Sequence, residues 1–295
     1  MTLTFTPIGG EANLLKQKEF QAILAACPQV SSDYSFLNLW GWAETYGLEW
    51  AWEKDLVWIR QTLPEETYWA PMGPWHEINW QATRTAHISS GTRFIRVPET
   101  LLKIWRTENL VMSEEEARGH WDYLYTTQEL TTLKGNRYHK KKNLLNQFLK
   151  KYDHRYVPFG AALVTQALSL QTDWCEWRDC ESFETLAAEN RVIEKTLAHW
   201  EKLEGLLGGG IEVNGRLVAY TVAEPLSKDT VVIHFEKGNP DIIGAYQAIN
   251  QMFLASLPES LAQVNREQDL DDPGLRKAKL SYHPTGFLKK FTVVM

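Results

Sequence analysis

The residues best suited to chemistry fall in two polar stretches with apolar flanks, VNREQDLDDPGLRKAKLSYHP over 264–284 and LKGNRYHKKKNLLNQFLKKY over 133–152. In the later one, Asn265, Arg266, Glu267, Gln268 and Asp269 follow LAQV, which has the composition of a buried strand. Five polar side chains are therefore expected at a strand's carboxyl end, where open α/β sheets bind ligands. PGLRKAKLSY then reads as a short helix with Pro273 near its start and Asp271 and Asp272 favourable at its positive end. Arg276 and Lys279 are three apart and share a face, whereas Lys277 points elsewhere. Two readings stand side by side. In one, Glu267 or Asp269 pairs with Arg276, Lys277 or Lys279 in an ion-pair network that ties strand to helix. In the other, the same charged groups flank a binding site. His234 and Glu236, two apart in TVVIHFE, share a strand face, and the histidine reads either as a satisfied core residue or as a ligand contact.

The earlier stretch is basic, with Lys134, Arg137, Lys140, Lys141, Lys142, Lys150, Lys151 and Arg155 within 134–155. At about 100° per residue, Tyr138, Leu144, Leu145, Phe148, Leu149 and Tyr152 occupy an arc of about 140°, the width of a core-facing stripe. Lys141 lies inside that arc. It either snorkels to water from the first turn or presents an ammonium to an anionic or carbonyl-bearing ligand. The cluster as a whole reads as a solvated face or as a polyanion contact, with Gly135 and Asn136 offering backbone N–H groups ahead of the helix.

The rest of the chain sets bounds. Its 295 residues, 44% hydrophobic and 23% charged, suit a soluble protein of two modest domains. A formal charge of −6 supplies no global attraction to nucleic acid or anionic lipid, so such binding would need a local patch. Cys27, Cys175 and Cys180 make an odd count without a second pair for zinc, which suits a reduced cytoplasm, and no metal is expected. Neither a signal segment nor an apolar run of membrane-spanning length is present, so a cytoplasmic location is expected. Thirteen Trp suit large cores better than an aromatic ligand groove.

One order of elements recurs. A helix through SDYSFLNLWGWAETY leads to a hairpin, LEWAWEKDLVWIRQ, then a strand at TYWAPMG, a helix at HEINWQATRTA and a strand at TRFIRV. In the second half, FETLAAENRVIEKTLAHWEKL leads to IEVNGRLVAYTVA, where Asn214-Gly215 is a hairpin signal. TVVIHFE, GAYQAINQMFLASL and LAQVN follow as strand, helix and strand. Helix, hairpin, strand, helix, strand thus occurs twice, predicting two similar α/β domains, 1–155 and 156–295, with the basic helix ending the first.

Together, TLKGNRYHKKKNLLNQFLKKY and VNREQDLDDPGLRKAKLSYHPTGFLKKF resemble the lysyltransferase domain at the C-terminus of phosphatidylglycerol lysyltransferases, and more closely its short stand-alone relatives. The resemblance covers most of the chain. It implies tandem domains like those of GNAT acetyltransferases, each a mixed sheet flanked by helices, akin to peptidyltransferases that use aminoacyl-tRNA. It also implies aminoacyl or acyl transfer to a lipid or small acceptor, with Lys277 or Lys279 stabilising developing negative charge while Glu267 and Asp269 orient an amine. Substrate contacts are then expected from Asn136, Arg137, His139, Lys140, Lys141, Asn265, Arg266, Arg276, Tyr282, His234 and Glu236, with a tRNA meeting residues 134–155. Members that use acyl-coenzyme A place a pyrophosphate loop before the helix that follows the fourth strand. Here Asp241-Ile242-Ile243-Gly244-Ala245 stands in that place: Gly244 and Ala245 fit, whereas the Asp241 carboxylate opposes the anion. A non-catalytic binding protein on the same fold is the third alternative.

Overall fold

In a computed structural model, residues 3–295 are described, and they form two compact units that are each discontinuous in sequence. The first comprises the chain up to Asp122 with 268–276 and 287–295; the second comprises 123–267 with 277–286. The boundary expected near 155 therefore falls inside the second unit, and the basic helix, His139–Lys151, belongs to that unit rather than closing the first.

The first unit is built on a seven-stranded sheet. Its strands are β1 (Thr6–Pro7), β2 (Leu48–Glu53), β3 (Leu56–Gln61), β4 (Thr67–Met72), β5 (Arg93–Pro98) and β6 (Ser113–Glu116). The second sheet holds β7 (Asp122–Thr126), β8 (His154–Pro158), β9 (Leu207–Val213), β10 (Arg216–Pro225), β11 (Thr230–Gly238), β12 (Gln263–Asn265) and β13 (Gly286–Leu288). The C-terminal strand β14 (Lys290–Val294) returns to the first. The strand orders are β1-β2-β3-β4-β5-β14-β6 and β8-β9-β10-β11-β12-β7-β13. The fourth and fifth strands, β4 with β5 and β11 with β12, are parallel, and the sixth is antiparallel to the fifth in both. The duplication read from the sequence is thus present as two mixed sheets of matching strand order. Its sixth strands are exchanged: β7 precedes the second repeat yet completes its sheet, and β14 follows that repeat yet completes the first.

Local chemistry accounts for the elements. Asn214 and Gly215 both have positive φ, 51° and 76°, which the two-residue turn joining β9 to β10 requires. Helix Ala161–Arg178 buries Leu163, Ala167, Leu170 and Trp174, one face at helical spacing. Helix Ala245–Ala255 joins β11 to β12 and buries Ala248, Ile249, Phe253 and Leu254 against the sheet. Ten of the thirteen Trp lie before residue 122, and Trp40, Trp50, Trp58, Trp75, Trp80 and Trp105 are fully buried, so they are core. Cys175 and Cys180, expected as thiols, form a disulfide across the left-handed turn at Asp179 that ends helix 161–178. No helix among the described residues is long and apolar enough to cross a membrane.

A charge network lies at the centre of the first unit. Lys290, on β14 and fully buried, bonds Asp122 at 2.6 Å and also Asp33, which Arg96 of β5 engages in turn. Asp122 further accepts from the backbone N–H and hydroxyl of Ser32, each at 2.8 Å, and Gln268 donates to Asp33 at 2.8 Å. Burial alone would raise the Asp33 carboxyl; Lys290 and then Arg96 overcome it and hold the carboxyl far below the usual range. Arg96 itself sits at φ 58°, where β5 and β14 slip register.

Candidate functional site

Helix 245–255 and the two parallel strands it links bring several of the expected second-unit residues together past the carboxyl end of β12, beside the second half of β11. His234 is the extra residue of a bulge in β11: Val222 pairs with Phe235 and Ala223 with Ile233, leaving His234 without a partner across the ladder. Its side chain is fully buried, with Nδ1 2.9 Å from Glu267 Oε1 and Nε2 3.0 Å from Glu224 Oε1. Burial would discharge the ring, but hydrogen bonds to Glu224 and Glu267 outweigh it and raise the imidazolium to about 9. At neutral pH both ring nitrogens donate. Glu267 takes φ 56°, a left-handed backbone costly for most residues, and its N–H donates to Asn265 Oδ1 at 2.8 Å.

Glu236, two residues beyond His234, engages a different set. Arg266 Nη2 donates to its Oε1 at 3.0 Å and Asn250 Nδ2 to its Oε2 at 3.1 Å. The Arg266 guanidinium stands 4.9 Å from the centre of the Tyr282 ring, and Lys141 Nζ, from helix 139–151, stands 4.2 Å from that ring. Gln247 reaches the Tyr282 hydroxyl at 3.4 Å. Lys279 donates to the Arg266 carbonyl, and its own carbonyl accepts from Tyr125 at 2.8 Å. Glu236, Lys141, Arg266, Tyr282 and Lys279 thus form one cluster, adjoining Glu267 and His234 through the chain.

Other expectations are corrected. Asp269 belongs to the first unit and is fully buried, locked by Arg276 at 2.8 Å and Arg118 at 3.2 Å while accepting from the Asp271 N–H. It is a structural anchor with no freedom to orient an amine, and Arg276, committed to Asp269 and Asp271, serves the same turn. Of the ion pairs expected between Glu267 or Asp269 and the basic trio, Asp269–Arg276 forms; Glu267 turns to His234 instead. Lys277 is exposed on helix Pro273–Leu280. Asn136, Arg137, His139 and Lys140 are exposed, and Arg137 pairs with Glu129. Only Lys141 of that stretch reaches the cluster, as its place within the apolar arc required.

Gly244 and Ala245 are buried, and helix 139–151 packs against the Cα of Gly244. A Cβ at Gly244 would lie 2.2 Å from the Leu144 carbonyl oxygen and 2.9 Å from Phe148 Cβ, and Gly244 holds φ 82°. The Ala245 N–H is spent on the Ile242 carbonyl. Gly244→Ala is accordingly expected to cost about 2–3 kcal/mol through backbone strain and overpacking, visible as a lower thermal midpoint. An unchanged midpoint would mean that the helix does not press on Gly244. A cavity of about 340 Å³ exists in the first unit, lined by Gly9, Gly10, Glu44, Glu49 and Thr62 among others, and none of the expected residues lines it.

Several contributors escaped the sequence reading. Glu224 and Asn250 are polar residues in apolar runs, and that incongruity was their signal; Gln247 had none. Among the described residues no cluster of His, Cys, Asp and Glu is suited to a metal.

The model of the family described as phosphatidylglycerol lysyltransferase, C-terminal, matches residues 24–294. The chain belongs to that family. A conserved protein of unknown function from Bacteroides thetaiotaomicron superposes with TM-score 0.85 at 29% identity, over 99% of this chain and 100% of that one. The C-terminal domain of a candidate lysylphosphatidylglycerol synthetase from Agrobacterium fabrum gives 0.64 at 13% identity, covering 95% and 92%. L-PGS from Bacillus licheniformis gives 0.60 at 10%, covering 94% and 91%. These last two likenesses speak to fold. An uncharacterized protein of Mycoplasmoides gallisepticum is 24% identical over 179 residues, 58% of this chain and 55% of that relative's length.

Proposed function

We propose that this chain is an aminoacyltransferase that works at the cluster around Arg266 and Glu267, moving an aminoacyl group from a charged tRNA to a lipid or small acceptor. The observation that carries the reading is the convergence of Arg266, Glu236, Tyr282, Lys141 and Glu267 just past the carboxyl end of β12, a usual ligand position in open α/β sheets. In this scheme the acceptor's O–H or N–H attacks the ester carbonyl, and Glu267, one oxygen held by His234, takes the proton. The ester C–O bond breaks, and the proton returns to the departing ribose hydroxyl.

The choice of donor rests on charge and packing. Coenzyme A would bring its pyrophosphate to a helix start that helix 139–151 crowds at Gly244 and that the Asp241 carboxylate opposes, whereas Lys140, Lys142, Lys150 and Lys151 are exposed and able to meet a polyanion. Labelled aminoacyl-tRNA supplied with anionic vesicles and a lipid extract is expected to yield labelled acceptor, and Glu267→Gln to slow transfer at least about 100-fold. Binding of tRNA should weaken steeply between about 50 and 200 mM salt. Micromolar binding of acetyl-coenzyme A with no transfer from tRNA would instead select the acyl-coenzyme A reading, and no response to either would select a binding protein.

A further inference from the structure

We infer that Lys141 and Arg266 form a built seat for an oxyanion beside the Tyr282 ring, a ligand class that the transfer reading alone does not specify. The inference rests on that reading only for where the ligand's reacting end would lie.

Two cations share one ring face region, with Lys141 Nζ at 4.2 Å and the Arg266 guanidinium at 4.9 Å from its centre. The negative charge beside them falls short. Glu236 is already divided between Arg266 Nη2 and Asn250. The nearby Lys279 adds a third positive charge, spent on the Arg266 carbonyl. Arg266 Nη1 is buried outside hydrogen-bonding geometry, although the Tyr282 hydroxyl acts on the guanidinium. A charged donor in that state is at a disadvantage until an acceptor arrives. Lys141 is half-buried and pairs with no carboxylate; burial and then the Arg266 charge lower its pKa, against a smaller pull from Glu236. One ligand bearing two oxygens would satisfy the Arg266 donor and neutralise Lys141 together. A phosphate and a carboxylate both offer this chemistry.

The test titrates the full chain with inorganic phosphate and, separately, with acetate at constant ionic strength, while the Lys141 amine is followed by NMR. Saturable binding at one site is expected, with the Lys141 pKa moving upward as the site fills. The stronger of the two probes identifies the source as phosphate or carboxylate. Lys141→Met should weaken that binding at least tenfold, and Lys228→Met, on an exposed turn of the same unit, should leave it unchanged. Binding that fails to saturate, that leaves the Lys141 pKa in place, or that weakens equally in both variants overturns the seat. Saturable binding without any transfer from charged tRNA would keep the seat and dismiss the transferase reading; transfer without anion binding would do the reverse.

Discussion

Lys290→Met is expected to destabilise the first unit by about 3–5 kcal/mol, the range for removing one partner from a buried ion network. The ammonium is the shared counterion of Asp33 and Asp122, all three lie within a few per cent of full burial, and methionine fills the space without the charge. Arg96 and Gln268 would still reach Asp33, and Ser32 would still donate to Asp122, but neither carboxylate would keep the ammonium they share. Tryptophan fluorescence is the natural reporter, since ten of the thirteen Trp belong to this unit. The urea midpoint of the fluorescence transition should fall sharply, and adding Asp122→Asn to Lys290→Met should recover part of the loss. A midpoint within about 0.5 kcal/mol of the parent would show that the network is not held by its lysine.

The second large effect is alkaline. An imidazolium near 9 in the folded chain, against about 6.5 unfolded, is a base whose folded pKa is raised. Its stabilising contribution is therefore complete below about pH 6.5 and disappears as pH rises through about 9. A difference of that size corresponds to roughly 3 kcal/mol from the second unit. The groups that face His234 are Glu224 from β10 and Glu267 from the segment after β12, and once the ring is neutral it can donate to only one of them. Lys141 works in the opposite sense because its pKa is lowered, so a comparison of variants isolates the histidine. Urea midpoints at pH 6 and pH 9.5, followed by far-UV circular dichroism, should differ markedly in the parent. His234→Asn should be weaker at pH 6 and nearly flat between the two. Parallel slopes in parent and variant would assign the alkaline loss to other groups.

Legibility in the sequence followed the range of the interactions. Asn214-Gly215, the helix between β11 and β12, and the doubled order of elements are local signals, and the chain carries them within windows of about a dozen residues. The exchanged strands are short, and their partners are remote: β7 pairs with residues near 264 and β14 with residues near 95. Neither strand was expected, and with them went the boundary. The same distance misled the reading of Asp269, whose polar neighbourhood suggests a site. Its second arginine, Arg118, is 151 residues away, and full burial behind that pair makes it an anchor. Lys290 reads as one of two surface lysines in FLKKF until β14 is placed. Lys141 was legible in part, because helical spacing alone puts it among the apolar residues of its helix; the ring it meets was not.

The exchange of sixth strands bears on how the protein can be made and dissected. A single cut in the chain cannot release two finished halves: any break between β7 and β14 strands one sheet's penultimate member on the wrong fragment. During synthesis the first sheet waits for the last residues, with the carboxylates of Asp33 and Asp122 lacking their lysine until the ribosome has reached position 290. Fragment expression and truncations that reach β14 should therefore be read as operations on the interior of a sheet.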